Sequence, residues 1–336
     1  MAVYTTLERD EIEQFISRYG IGDVVDFSGV SAGMENSNYV ITTSSNHLAQ
    51  EVGHNRQGEY FLTIFEELPE NDLPFHLALL ELLDRKQIPV SAPIRDYDGA
   101  AIQHIQGKPA VLCPRLHGEH MMTPSAQQCA VIGDMLARIH AVSMDMEYEH
   151  GGIRDANWLR QTVVDASPML SDTDQSLCLE VLNSYLAVVD DPDLTKSIIH
   201  GDLFRDNALF EGEQLGGIID FFNAGQGHCI YDLAVTVNDW CMRDEHLDAD
   251  CFNALIQAYT NAHPLTESDR HHWPIIVKTC AMRFWLSRTL ARARAKENLH
   301  HELHYFKDPE QFRRILHNYL EDGVPPLPDS ATPQAN

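Results

Sequence analysis

The segment IIHGDLFRDNALF (residues 198–210) and the nearby GGIIDFF (residues 216–222) place acidic and amide side chains beside runs of strand-forming residues. Asp202, Asn207 and Asp220 lie at the ends of these runs. Crowded carboxylates repel one another, and burying each of them is costly unless another group compensates. The pattern therefore predicts a divalent cation at this point of the chain.

Residues 207–219 are predicted to form a β-hairpin that turns at residues 211–213. In that hairpin Asn207 and Asp220 converge at the open end, and Asp202 lies in the loop that leads into the same end. Carboxylate and amide oxygens suit Mg²⁺, which keeps several waters and is often shared with the phosphates of a substrate. A carboxylate that does not bind the metal can accept a proton from an attacking hydroxyl.

The bulk composition limits the class of protein. The chain has 336 residues, 44% of them hydrophobic and 22% charged, which is ordinary for a globular protein with a large core. The net charge of -26 argues against nucleic-acid binding and against docking on anionic lipid, because both need a basic surface. The acidity favours solubility, and electrostatic steering of a cationic ligand stays open.

The cysteines and the apolar runs predict a cytoplasmic protein. The seven cysteines are scattered without a CxxC pair, as is typical of reduced thiols. The start MAVYTTLERDEIEQ lacks the apolar segment of a signal peptide, and no apolar run approaches the ~18 residues of a membrane helix. We expect small-molecule substrates, neither nucleic acid nor membrane as a partner, and a monomer or homodimer.

The N-terminal part of the chain favours a sheet with one or two helices. Thr5 and Glu8 form a capping-box pattern in front of an amphipathic helix. Further elements are predicted from alternation, turn residues and helical spacing. They are two strands around a small-residue turn within 27–45, a strand at 59–67, a helix at 72–87 and a hairpin that turns at 106–108.

Helical spacing dominates after a polar connector at residues 117–125. Helices are predicted at 125–141, 172–190, 249–262 and 276–297. The resulting α+β organisation has a mostly-β N-terminal lobe, a mostly-α C-terminal lobe and a Pro-rich tail that we expect to be disordered. The predicted boundaries of these parts are 1–115, 116–322 and 323–336.

The spacing of the functional side chains resembles that of a known enzyme family. The pattern H-x-D-(x4)-N-(x12)-D resembles the aminoglycoside phosphotransferase and choline kinase branch of the protein-kinase-like superfamily. The resemblance implies a two-lobed kinase-like fold that uses ATP and Mg²⁺, with nucleotide binding in the first lobe. It implies that Asp202 is the catalytic base and that Asn207 and Asp220 are the magnesium ligands. His200 and Asp206 are expected to stabilise the loop.

The same resemblance indicates the phosphate side of a nucleotide site. SAGMENSNY at residues 31–39 resembles the loop that covers the phosphates. Gly33 permits close backbone approach, and Ser37 and Asn38 can donate hydrogen bonds to phosphate oxygens. Taken by itself, the segment is equally typical of an ordinary hairpin turn.

A second segment is expected beside the adenine of the nucleotide, and one residue typical of kinases is missing from the sheet. VLCPRLHGE at residues 111–119 resembles the segment between kinase lobes, so that Pro114 and Leu116 are expected beside the base. Kinases carry a phosphate-binding Lys on the third strand, and here Thr63 occupies that place. Glu81, on the following helix, would be the partner of that Lys.

Segments from residue 1 to about 290, among them FLTIFEE, YDLAVTVNDWC and RFWLSR, resemble the bacterial homoserine kinases of this fold. That likeness implies ATP-dependent phosphorylation of the side-chain hydroxyl of L-homoserine to O-phospho-L-homoserine, a step toward threonine. An amino-acid carboxylate needs a cation, and Arg283 and Arg288 are candidates because Arg binds carboxylates bidentately. Surface ion pairing is the alternative role for both. One of Asp232, Asn238 and Asp239 could meet the ammonium group, although the resemblance implies that Asp232 supports the catalytic loop.

Two other functions stay open. One is a kinase for another small alcohol or amine, such as an aminoglycoside, choline or hydroxylysine, because the acidic composition suits a polycationic substrate. The other is a non-catalytic nucleotide-binding module, which the absence of the strand lysine favours.

Overall fold

The computed structural model describes residues 4–30, 36–44, 58–144, 146, 155–297 and 307–328. The chain divides into two compact units, one formed by residues 1–119 with 208–219 and the other by residues 120–207 with 220–336. The predicted boundaries at 115/116 and 322/323 stay predictions. Gly33 and most of the predicted tail lie outside the described residues.

Strands predominate early in the chain and helices later, as the sequence predicts. In chain order the elements are α1 (Arg9–Ile16), β1 (Val24–Val30), β2 (Asn36–Thr43), β3 (Glu59–Phe65), α2 (Leu73–Arg85), β4 (Ile102–Ile105), β5 (Lys108–Pro114), α3 (Ala126–Ser143), α4 (Ala156–Ala166), α5 (Asp172–Leu186), β6 (Lys196–Ile199), β7 (Ala208–Glu211), β8 (Gln214–Ile218), β9 (Gly225–His228), α6 (Cys229–Trp240), β10 (Met242–Arg243), β11 (His246–Leu247), α7 (Ala249–Ala262), α8 (Glu267–Glu297) and α9 (Pro309–Glu321).

The first unit is built on an antiparallel sheet with the strand order β1-β2-β3-β5-β4. Buried side chains alternate along β2 and β3, because successive residues of a strand point to opposite faces. Helix α1 covers the buried face, where Ile12, Phe15 and Ile16 join Ile41 and Leu62 in one apolar core. Each such side chain stabilises the fold by about 1.5–3 kcal/mol.

The predicted capping box of α1 was wrong by one turn. The helix begins at Arg9, and its capping box joins Glu8 to Glu11. The Thr5 hydroxyl instead donates to a carboxylate oxygen of Glu66 at 2.7 Å. A partner distant in sequence therefore replaces the local capping interaction that the pattern predicted.

The second unit is helical, and three of its helices were not singled out from the sequence. These are α4, α6 and α9. Helix α8 is longer than the predicted helix at 276–297, since it begins at Glu267 and continues through Pro274. Within the described parts of the chain, no helix combines the length and apolar character needed to cross a bilayer.

Helices α3 and α7 cross closely at a glycine. A Cβ atom added to Gly133 would lie 2.2 Å from the Leu255 carbonyl oxygen of α7. Real Cβ atoms do not approach a backbone oxygen so closely, so the packing distance of the two helices depends on the absence of a side chain at this position.

We expect Gly133→Ala to lower the free energy of unfolding by roughly 1–3 kcal/mol, because the helices must move apart to admit the methyl group. Urea unfolding measures the change. Gln127→Ala, at an exposed position of the same helix, is the control and should be close to neutral. Equal stability of Gly133→Ala and the wild type would show that the crossing is looser than described.

Candidate active site

The segment from His200 to Asn207 follows β6 and is folded by its own hydrogen bonds. The Asp202 carbonyl accepts the Phe204 N–H at 2.7 Å and the side-chain amide of Asn207 at 2.8 Å. The Asp202 N–H donates to Nδ1 of His200 at 3.3 Å. The main chain of Asp202 is therefore held on both sides, whereas its side chain is 22% exposed. An accessible carboxylate on a fixed main chain can act as a general base.

Gly201 gives this segment its sharp turn. Its φ is +76°, in the left-handed region, and an added Cβ would lie 3.0 Å from the Asn223 carbonyl oxygen. An L side chain would be strained by the dihedral angle and by the contact. The glycine therefore sets the direction in which Asp202 leaves the strand.

Asp232 on α6 supports the same turn through hydrogen bonds to its main chain. Its fully buried carboxylate accepts the N–H of His200 at 2.7 Å and the N–H of Gly201 at 2.8 Å. It also lies 3.0 Å from Nε2 of His140 on α3. The expectation that Asp232 supports the loop is confirmed by these contacts.

His140 was not predicted as part of the site, since the sequence shows only a histidine on an apolar helix face. Its Nδ1 lies 2.8 Å from the Tyr259 hydroxyl. Burial acts to lower the pKa of the His140 imidazole, but Cys229 and the Asp232 carboxylate raise it to about 10. Burial acts to raise the pKa of Asp232, but the bond from His140 lowers it below its ordinary value. The pair is therefore a buried imidazolium–carboxylate bridge.

The hairpin of β7 and β8 brings the predicted metal ligands to its open end. Ala208 pairs with Ile218, so Asn207 directly precedes the paired region and Asp220 closely follows it. Asp220 is exposed and has a φ of 63°, a left-handed conformation that costs a non-glycine residue of order 1–3 kcal/mol. Strain of this kind is often retained where it aims a functional side chain.

The donors at this end fit a hard divalent cation. The Asn207 side-chain nitrogen is bonded to the Asp202 carbonyl, which leaves the amide oxygen as the group able to bind a metal. Asp220 adds an exposed carboxylate. No cluster of three or more His, Cys, Asp or Glu ligands occurs among the described residues. A cation held by one amide and one carboxylate would depend on water and phosphate for its other ligands, as Mg²⁺ does.

The structure separates the two arginines predicted to bind a substrate carboxylate. Arg283 is 1% exposed, and its Nη1 lies 4.0 Å from Oδ1 of Asp202. Nη1 of Arg288 donates to the Asp308 carbonyl at 3.1 Å and to Gln311 at 2.8 Å. Burial lowers the pKa of Arg288 to about 10. Arg283 thus borders the predicted base, whereas Arg288 is bonded to the start of α9.

Other ion pairs surround the loop. Asp206 lies 2.6 Å from the ammonium group of Lys307, and both side chains are about half exposed. The Asp239 carboxylate accepts the Arg205 N–H at 2.7 Å and its Nε–H at 3.0 Å. These pairs hold the loop to α6 and to the segment that precedes α9. Neither Arg205 nor Lys307 was identified from the sequence.

In the first unit, Ser37 has a different environment from the one predicted for it. Its buried hydroxyl oxygen accepts the N–H groups of Tyr4 and Thr5 at 2.8 Å and donates to Glu66 at 2.5 Å. Its hydrogen-bonding capacity is thus used within the protein. Asn38, the next residue, faces the opposite side of β2.

Asn38 and Thr63 are cross-strand neighbours on the half-buried face of the sheet. Pro114 is the last residue of β5, and Leu116 is buried shortly after it. Glu81, the expected partner of a strand lysine, instead accepts a hydrogen bond from Arg95 at 2.5 Å. The first unit therefore presents small polar groups where a kinase carries its lysine.

Known protein families and sequences resemble this chain over most of its length. The sequence profile of the phosphotransferase enzyme family matches residues 26–268. A homoserine kinase of Pseudomonas aeruginosa is 38% identical over 293 residues, covering 87% of this chain and 89% of the relative. A homoserine kinase of Cupriavidus taiwanensis is 38% identical over 341 residues, covering 98% of both chains.

Solved structures support the fold. The amicoumacin kinase hAmiN, in complex with AMP-PNP, Ca²⁺ and Ami, aligns with a TM-score of 0.68 at 13% identity and covers 95% of both chains. At that identity the likeness concerns the fold alone. The predicted protein-kinase-like α+β fold is confirmed.

We expect the bridge between His140 and Asp232 to make stability depend on pH. The pKa of His140 is raised from an unfolded value near 6.5 to about 10, so its contribution is complete below about pH 6.5 and is lost as the pH rises toward 10. Urea unfolding of the wild type and of His140→Gln should show a difference that shrinks from about pH 6 to about pH 9. A difference that grows with pH would mean that His140 is neutral in the folded protein.

Proposed function

Since this chain belongs to the phosphotransferase enzyme family, we propose that it transfers the γ-phosphoryl group of ATP to the side-chain hydroxyl of L-homoserine. The products are O-phospho-L-homoserine and ADP, and the reaction is a step toward threonine. The observation that carries the proposal is the fixed Asp202 beside the Asn207 amide at the open end of the hairpin. The homoserine kinases that resemble the chain over nearly its full length support the choice of alcohol.

Asp202 acts on the alcohol. Its carboxylate accepts the hydroxyl proton while the alcohol oxygen forms a bond to the γ-phosphorus, and the bond from that phosphorus to the β–γ bridging oxygen breaks. ADP carries away the electron pair of the broken bond. The hydrogen bonds of Phe204 and Asn207 to the Asp202 carbonyl fix the main chain from which the carboxylate extends. Such pre-organisation lowers the cost of aligning alcohol and phosphorus.

Asn207 and Asp220 would hold Mg²⁺. Bound there, the ion would neutralise charge on the phosphates of ATP. Asn207 also bonds to the Asp202 main chain through its nitrogen. A single side chain thus couples the position of the base to that of the metal, and substitution of Asn207 should affect both.

On the nucleotide side we propose contacts from Asn38 and Thr63, which share the half-buried face of the sheet. Ser37 would act indirectly by holding β2 to residues 4 and 5. Gly33 is proposed from its sequence context alone. Pro114 and Leu116, at and just after the end of β5, would meet the adenine.

The proposed setting is the cytoplasm, with ATP and a small alcohol as the ligands. The net charge of -26 supports the expectation that neither nucleic acid nor an anionic membrane is a partner.

A coupled ADP-release assay with L-homoserine, L-serine, choline and kanamycin tests the function. We expect L-homoserine to give the highest kcat/KM. Turnover of kanamycin but not of homoserine would assign the chain to antibiotic phosphorylation, and the absence of turnover with every alcohol would favour a nucleotide-binding module without activity.

We expect Asp202→Asn to lower kcat by on the order of 10² or more while ATP affinity stays nearly constant, because the variant loses only the proton acceptor. Steady-state kinetics and nucleotide titration measure the two quantities. Asp206→Asn is the matched control in the same loop, since Asp206 is paired at the surface with Lys307. Its kcat should stay within a few-fold of the wild type. Equal effects of the two substitutions would remove Asp202 from the role of base.

A further inference from the structure

Arg283 is a buried cation with incomplete hydrogen bonding. Its Nε has no hydrogen-bond partner among the residues that the structure describes, and its side chain is 1% exposed. Nη1 lies 3.5 Å from the Gly201 carbonyl and 4.0 Å from Oδ1 of Asp202. Charge-assisted bonds of this type are normally about 2.7–2.9 Å long. The guanidinium therefore lies near two acceptors without making a strong bond to either.

Aromatic rings hold the guanidinium without using its N–H donors. The Cζ atom lies 3.7 Å from the centroid of the Phe284 ring and 5.9 Å from that of Trp158. Contacts to ring faces stabilise a cation, and they leave the edge of the planar group able to bind an anion. The Asp202 carboxylate at 4.0 Å balances part of this charge but is too far away for a direct hydrogen bond. A buried cation with incomplete hydrogen bonding is unfavourable, so an anionic ligand that completes these bonds would bind strongly.

The position of Arg283 relates this anion to the reaction. Arg283 and Asp202 are neighbours, and in L-homoserine only a short carbon chain separates the carboxylate from the reacting hydroxyl. A substrate whose carboxylate is held by Arg283 would therefore have its hydroxyl within reach of Asp202. Arg288, in contrast, already donates hydrogen bonds to Asp308 and Gln311.

We propose that Arg283 binds the α-carboxylate of the substrate, which restricts the substrates to hydroxy amino acids and excludes amino alcohols. The inference rests on the proposed phosphorylation of homoserine and adds the group that selects the substrate. Arg283 is then a specificity-determining residue, whereas Asp202 performs the chemistry.

The test compares two substrates that differ only in the carboxylate. 3-Aminopropan-1-ol is L-homoserine without that group. We expect Arg283→Met to lower kcat/KM for homoserine on the order of 10²-fold, mainly through KM, because a charged partner of the carboxylate is lost. The kcat/KM for 3-aminopropan-1-ol should change by less than about threefold, so that the preference of the wild type for homoserine nearly disappears.

Arg288→Met is the matched control on the same helix. It should lower the melting temperature, since α9 loses two hydrogen bonds, and it should leave the ratio of the two kcat/KM values unchanged. If Arg283→Met lowers kcat/KM for both substrates by the same factor, the residue only positions the Asp202 loop and the proposal is overturned.

A second test compares two substrates of the wild-type protein, so its result does not depend on whether a variant folds. L-Homoserinamide retains the hydroxyl and the ammonium group but has no carboxylate charge. We expect its kcat/KM to be on the order of 10²-fold below that of homoserine; values within a few-fold of each other contradict the role of Arg283. Failure of the wild type to phosphorylate homoserine would instead refute the proposed function.

Discussion

The hydrogen bonds of the buried Asp232 carboxylate to the turn at His200 and Gly201 are the interactions on which the rest of the candidate site depends. Desolvating a carboxylate is unfavourable unless donors surround it, and here the donors are two main-chain N–H groups of the loop and the His140 imidazolium. The buried carboxylate therefore favours the turn at Gly201, because another path of the loop would leave Asp232 without its two main-chain donors. In this way α3 and α6 determine where Asp202 lies.

Left-handed backbone occurs at two points of the site, as it does at several turns elsewhere in the described chain. Gly201 and Asp220 both have left-handed backbone, and each adjoins a residue or a segment with a proposed role. The surrounding contacts compensate for this strain, as when Nε1 of the buried Trp240 donates to the Leu203 carbonyl at 3.1 Å. A rigid helical core thus supports a loop that would not hold its shape alone.

The hairpin of β7 and β8, its open end and helix α7 could be predicted from the sequence. The spacing of apolar residues and the choice of turn residues act over short distances along the chain. Helix α7 has the predicted bounds, with Asp248 accepting the Cys251 N–H as its cap. Helix α6 was not singled out because nearly all of its residues are buried, so it lacks an amphipathic stripe. Helix α9, in contrast, carries a start signal in the sequence, because Asp308 caps the helix and Pro309 is its first residue.

Tertiary partners account for the features that the sequence did not reveal. Thr5 has the pattern of a cap but bonds to Glu66, and His140 resembles a core residue but bridges to Asp232. Arg283 and Arg288 are similar in sequence context, and only their neighbours separate them. Such distinctions depend on contacts between distant segments, which spacing along the chain does not encode.

Amide hydrogen exchange at His200 and Gly201, compared between the wild type and Asp232→Asn, tests the central claim most directly. We expect the protection of these two amides to fall and kcat to fall with it, while exchange in the sheet of β1 to β5 stays the same. Unchanged protection and unchanged kcat in the variant would contradict the claim that the buried carboxylate holds the loop in its working shape.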